Sequence, residues 1–171
     1  DRYAVIFRFS FPDVESAGLT EYTIKGNGEI IVKNTFTPGE KDFIELPRYG
    51  MTLVLNQGYD NMKWFGRGPF ENYQDRYTAA FVGLYESTVG DQFVPYSRPQ
   101  ECGNKTDVRW ASFTNDKDHG LKITGLPLLS LSALHFTIED LDPGETKKNI
   151  HPPDLDPRPE IYLNIDYKPV S

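Results

Sequence analysis

The chain holds one cysteine, Cys102, and three histidines, His119, His135 and His151, among 171 residues. A single cysteine excludes an intrachain disulfide framework. Cys102 has no histidine base near it in sequence, so it reads as a small buried residue rather than a nucleophile. Neighbouring histidines stand 16 residues apart, without partners two or four positions away, and this is not the local spacing of a zinc site. There is no Gly-x-Ser-x-Gly elbow and no glycine-rich phosphate loop; Gly66-Arg-Gly68 is too short and follows aromatics. Basic runs are missing too. Lys147-Lys148 is the longest and reads as a solvated turn, and the formal net charge of −7 argues against a nucleic-acid partner. The longest apolar stretch, Leu126 to Phe136, is broken by Pro127, Ser130, Ser132 and His135, so no membrane span is expected. The chain opens at Asp1 without an initiator methionine or a signal peptide, and it reads as an excerpt from a longer polypeptide.

What is present is aromatic, strand-like and rich in turns. Aromatics make up 13% of the chain, and 13 prolines and 14 glycines are spread along it, a pattern suited to many short strands joined by turns. Tyr3, Val5, Phe7, Phe9 and Phe11 alternate with Arg8 and Ser10, which predicts a half-buried strand. Tyr22 to Lys25 and Glu29 to Lys33 flank Gly26-Asn27-Gly28, and Asn-Gly tolerates the positive φ of a tight hairpin turn. Tyr49 to Leu55, Asp107 to Phe113, Leu121 to Thr124, Leu129 to Phe136 and Ile161 to Tyr167 are further strand candidates. Tyr77 to Tyr85 is open between strand and helix. Thr137 to Leu141 suits a single helical turn, stopped by Asp142-Pro143-Gly144. Ile150 to Pro159, with four prolines, reads as a loop. Together these elements predict an all-β, antiparallel two-sheet sandwich, taken as a single domain over residues 1–171.

Two segments concentrate chemistry. Trp64 to Arg76 reads as an aromatic, charged loop with two glycines and a proline, and Pro95 to Trp110 reads as a second. Flat apolar rings beside Arg, Glu and Asn suit a sugar, whose C–H face is apolar and whose rim is hydroxylated. The candidate cleft residues are Trp64, Arg67, Glu71, Asn72, Arg98, Glu101 and Arg109. The plainer reading is structural pairing of Arg67, Arg76 and Arg98 with Glu71, Asp75 and Glu101. On that reading, removing Arg67 or Arg98 costs about 3–5 kcal/mol if a buried carboxylate is left unpaired. Glu71, Asp75, Glu101 and Asp107 are also the carboxylates to weigh as an acid/base pair; arginines close in sequence are expected to depress their pKa values and spoil them as acids. A mutarotase-like pair of His135 with Glu101 is the remaining catalytic option.

The same segments carry a resemblance. Leu46-Pro-Arg-Tyr-Gly-Met51, Trp64-Phe-Gly-Arg-Gly-Pro69, Glu71-Asn-Tyr73, Asp75-Arg76, Gly83-Leu-Tyr85, Pro95-Tyr96, Arg98-Pro-Gln-Glu101, Gly103-Asn104, Thr106-Asp-Val-Arg-Trp110 and Leu163-Asn-Ile-Asp166 follow in an order and spacing that resemble the small-chain domain of large bacterial-type β-galactosidases, of glycoside hydrolase family 2 type. The resemblance covers most of the chain and is loose over the first 40 or so residues. It implies a supersandwich similar to galactose mutarotase, incomplete at both ends. It also implies a catalytic barrel elsewhere in the same polypeptide, carrying both reactive glutamates, with galactoside as substrate of the intact enzyme. No catalytic residue, metal ligand or cofactor is therefore expected in this chain. In the family a Gly-Gly-Asp-x-Ser-Trp type loop follows the Leu-Asn-Ile-Asp strand; here Tyr167 to Ser171 follow instead. Unpaired sheet edges and association into a homo-oligomer are expected from that. The alternative from another class is an autonomous carbohydrate-binding module. The compartment stays open between bacterial cytoplasm and periplasm.

Overall fold

The computed structural model describes residues 1–40, 48–144 and 150–168. Its nine strands are β1 (Arg2–Phe11), β2 (Ser16–Lys25), β3 (Ile30–Thr37), β4 (Tyr49–Leu55), β5 (Asn61–Gly68), β6 (Phe81–Thr88), β7 (Lys105–Thr114), β8 (Gly120–Leu134) and β9 (Ile161–Lys168). They form a three-stranded sheet, β1-β2-β3, and a six-stranded sheet, β4-β9-β8-β7-β5-β6, with antiparallel pairing throughout. This is the all-β, antiparallel, two-sheet class that the alternation predicts. Contacts divide the chain into two compact units, Asp1–Leu46 and Pro47–Ser171. Among the described residues no helix is long and apolar enough to cross a membrane. Lys147-Lys148 lies outside the described residues.

In the first unit the hairpin forms where Asn27-Gly28 marks it. Gly28 has φ +87°, a conformation open to glycine at little cost, and its N–H donates to the Lys25 carbonyl at 3.1 Å. The strands run longer than the apolar clusters suggest, because register continues through Thr, Glu and Lys positions to Ala17↔Thr37. One expectation is corrected here. β1 is exposed along its whole length rather than half-buried.

The second unit holds the core. Met62 and Trp64 of β5, Val108, Ala111 and Phe113 of β7, Leu131 and Ala133 of β8, and Ile161 and Leu163 of β9 are buried together. Along β5 the inward row is Met62, Trp64, Gly66 and Gly68, and Lys63, Phe65 and Arg67 point the other way. Trp64 to Gly68 are thus strand, not loop, and so are Lys105 to Trp110; the loops proper are 69–80 and 89–104. The ambiguous stretch resolves into a turn and then β6. Leu121 to Thr124 and Leu129 to Leu134 are one strand, whose pairing with β7 is shifted between Val108 and Trp110. A second cluster, Cys102, Leu134, Phe136 and Leu141, packs with Phe93, Val94, Tyr96 and Leu155. The predicted turn after it is α1 (Ile138–Leu141), closed by a capping box. Thr137 Oγ1 accepts from the Asp140 N–H, and Asp140 accepts from the Thr137 N–H. Within the predicted loop from Ile150, Pro152–Asp154 form a 3-10 turn.

Candidate functional site

The loop after β5 and the segment leading into β7 are held together by side chains that imitate a sheet. Asn72 is fully buried. Its N–H donates to the Asn104 carbonyl at 2.8 Å, and the Asn104 side chain returns a bond to the Asn72 carbonyl at 2.8 Å. The Asn72 side-chain oxygen accepts from both the N–H and the hydroxyl of Thr106, at 2.9 and 2.6 Å, and its amide donates to the Phe70 carbonyl at 3.0 Å. Every polar atom of the amide has a role, as its burial demands.

Glu71 and Glu101 sit on either side of this staple. Glu71 accepts from Arg76 Nη2 at 3.2 Å, from the Gly103 N–H at 2.8 Å and from the Tyr96 hydroxyl. Arg76 also lies over the Tyr73 ring, 4.5 Å from its centroid. Glu101 accepts from Arg48 Nη1 at 3.0 Å. The same guanidinium grips Asp166 with Nε at 3.0 Å and Nη2 at 2.6 Å, so one arginine joins two carboxylates from distant parts of the chain. Burial pushes the Glu101 carboxyl above its ordinary pKa, with Asp166 adding to the shift and Arg48 opposing it. Asp166 is likewise raised by burial, against Arg48. Gly50 is required beside it, since a Cβ there would run into Asp166 and the Ile165 carbonyl. Arg48, Gly50, Met51, Thr52, Ile138 and Asp166 line a pocket of ≈ 250 Å³.

Beneath the loops Trp64 is buried in the core, donating from Nε1 to the Arg67 carbonyl at 3.0 Å and tilted against Tyr85. The Lys105 ammonium, itself buried, lies 5.3 Å from the Trp64 ring and donates to the Gly103 carbonyl at 3.1 Å. Desolvation lowers its pKa to about 8. Burial drives the Cys102 thiol up to about 11, the opposite of an activated nucleophile.

The sequence-predicted residues therefore fall into three places. Trp64, Glu71, Asn72 and Glu101 belong to the joined loops and the core beneath them. Arg67 and Arg109 share Asp107: Arg67 Nε donates to its carboxylate at 2.6 Å, and Arg109 Nη1 to its carbonyl at 2.6 Å. Arg98 is exposed and bonds to no other described residue. Two pairings are corrected: Arg67 holds Asp107, and Arg48 rather than Arg98 holds Glu101. Arg76 does take one of the expected carboxylates, Glu71. The expected depression of Glu101 is reversed, because loss of water outweighs its arginine. The His135–Glu101 pair does not form. His135 bonds Asp60 at 2.8 Å and the Glu160 carbonyl at 3.0 Å, which makes it a satisfied structural histidine. Arg48, Asp166 and Lys105 were missed. Arg48 and Asp166 are 118 positions apart, and only their presence in the quoted motif runs hinted at a link. Among the described residues no cluster of His, Cys, Asp and Glu could hold a metal.

The chain matches the family described as β-galactosidase small chain over residues 3–170. It belongs to that family. It is 41% identical over 147 residues to a β-galactosidase of Priestia megaterium, a match spanning 86% of this chain and 14% of the relative. A β-galactosidase of Lactobacillus delbrueckii subsp. bulgaricus is 34% identical over 147 residues, 85% of this chain and 14% of the relative. One from Vibrio cholerae is 34% identical over 125 residues, 73% and 11%. The chain thus corresponds to a small part of the β-galactosidases that it matches.

Proposed function

We propose that this chain is a non-catalytic domain of a β-galactosidase of glycoside hydrolase family 2 type, one that walls the active site and supports assembly while the reacting carboxylates lie elsewhere in the polypeptide. The supporting observation is the state of its own carboxylates. Retaining glycoside hydrolysis needs one carboxylate able to attack and one acid able to give a proton, both facing substrate. Here Glu71, Glu101, Asp107 and Asp166 are each committed to an arginine. Held by an arginine, each of these groups serves to stiffen a loop rather than to meet a substrate. In this reading Glu71, Asn72, Glu101 and Arg48 hold two loops in one conformation, and that rigid rim is what the domain contributes to a galactoside pocket. The autonomous carbohydrate-binding alternative loses its main platform, since Trp64 is 1% exposed. Two measurements test the proposal. Incubated alone with an aryl galactoside, the chain should give no turnover above background, and calorimetry with galactosides should give no saturable heat. Turnover by the chain alone would overturn the proposal, and saturable binding would move it to the alternative.

A further inference from the structure

We propose that Arg48, Glu101 and Asp166 form a proton-operated clamp, one that grips the loop 89–104 while Glu101 carries a proton and slackens as that proton is lost. The clamp begins in the register of two strands. Pairing of β4 with β9 passes from Tyr49↔Lys168 to Gly50↔Asp166, and this slip brings Asp166 against Gly50, two positions from Arg48 in the chain. Asp166 takes Nε and Nη2 of that arginine with its two oxygens, at 3.0 and 2.6 Å. Glu101 receives a single bond, from Nη1 to Oε2 at 3.0 Å. Two carboxylates against one guanidinium leave one negative charge in excess. The two acids are unequal. The Asp166 side chain is 3% exposed and doubly held, whereas that of Glu101 is 22% exposed and singly held. The proton therefore belongs on Glu101, whose other oxygen can carry it.

Tyr73 and Cys102 also act on Glu101, and burial keeps both in their neutral forms. Glu71, which acts on the same tyrosine, has Arg76 as its own cation. Lys105 faces Glu71 and Cys102 and stays an ammonium below about 8. Ionised Glu101 is thus better served by water than by the closed loop: burial, with Asp166, outweighs Arg48 and holds the carboxyl above its ordinary value of 4.5. The closed loop binds this proton more tightly than an opened one does. Closure is therefore firmest in acid and weakens as pH rises through the raised value. The staple of Asn72, Asn104 and Thr106 has no group that titrates, so the slackening stays on the Glu101 side of it. All three clamp residues belong to the unit Pro47–Ser171, so the clamp goes beyond the galactosidase reading and works whether or not that reading holds.

Cys102, fully buried and next to Glu101, is a built-in reporter. In the 171-residue chain its labelling by dithiodipyridine is timed both folded and in urea at each pH, and the ratio of the two rates gives its protection. The series runs from about pH 4 to about pH 7.5, below the titration of Lys105. Protection should fall severalfold as pH rises. Glu101→Gln has the shape of the protonated acid without its titration. It should stay protected throughout, so the gap to wild type widens with pH and the variant is the better protected at neutrality. An ordinary salt bridge gives the reverse order. Asp166→Asn removes the excess charge and should flatten the fall. NMR of the side-chain carboxyls in wild type, which needs no variant to fold, should show Glu101 titrating above 4.5. Any one of four results overturns the clamp: a gap that does not change with pH, a wild type better protected than Glu101→Gln at neutrality, an Asp166→Asn chain that keeps the full fall, or a Glu101 carboxyl titrating at or below 4.5.

Discussion

The two sheets obey the same rule of alternation and meet opposite fates. In β5 the alternate residues Met62, Trp64, Gly66 and Gly68 are buried while Lys63 and Phe65 are exposed. In β1 the alternate residues are at least as apolar, and every one is exposed. Period two reports that a strand has two chemically different faces. It does not report whether anything lies on the apolar one. The second unit buries its apolar row in a cluster shared by β5, β7, β8 and β9; the first contributes none of its described residues to that cluster. A second contrast follows. The polar groups of the second unit are tied into a network, whereas those of the first are surface pairs such as Lys25–Glu29 and Lys33–Glu21. Surface pairs of that kind contribute about 0–1 kcal/mol each.

Breaking the network at its hub should give the largest effect. Arg48→Met leaves Glu101 and Asp166 without their shared cation, and Asp166 is almost wholly buried. Loss of one partner from a buried ionic group costs about 3–5 kcal/mol, to be read as a lowered urea midpoint of the second unit by tryptophan emission. An unchanged midpoint would mean that the two carboxylates protonate at no cost.

Lys105 should move the other way. Its amine titrates at about 8 in the folded chain, against an ordinary value of 10.5. Between those values the unfolded chain binds more protons, so this residue makes stability rise as pH climbs from 8 to 10.5 and acts as a penalty below 8. Lys105→Met removes the penalty and should stabilise the protein at neutral pH by about 1–3 kcal/mol, the range allowing for the lost contacts to Gly103 and Trp64. The gap between variant and wild type should close as pH rises through the window. A gap independent of pH would place the ammonium in water.

Arg98→Ala should do least. The sequence placed this arginine beside Glu101 with a cost of about 3–5 kcal/mol on removal. Exposed and unbonded among the described residues, it should change the urea midpoint by less than about 0.5 kcal/mol. A larger loss would restore the original pairing and remove the distinction between rim and network.

Local chemistry was readable and long-range partnership was not. The Asn27-Gly28 hairpin, the Thr137 cap and the strands at Tyr49 and Ile161 follow from a few adjacent residues. Cys102 was read as buried and is. Trp64 to Gly68 were mistaken for loop because their glycines and charge look like turn chemistry, while in the fold those glycines admit the neighbouring strand and rings. The arginines were recognised as pairing residues, but proximity in sequence chose the wrong carboxylates. A β-strand separates neighbours to opposite faces, so the partner of Arg48 comes from β9 and not from its own segment.

The side-chain amide of Asn72 has a further implication. It gives a proton to Phe70 and takes two from Thr106 within a space closed to water. An aspartate has the same outline but only oxygens, and would set one of them against the Phe70 carbonyl. A glutamine has the right atoms one carbon too far out. The position is thus a lock cut for a single key: neither shape alone nor polarity alone can open it.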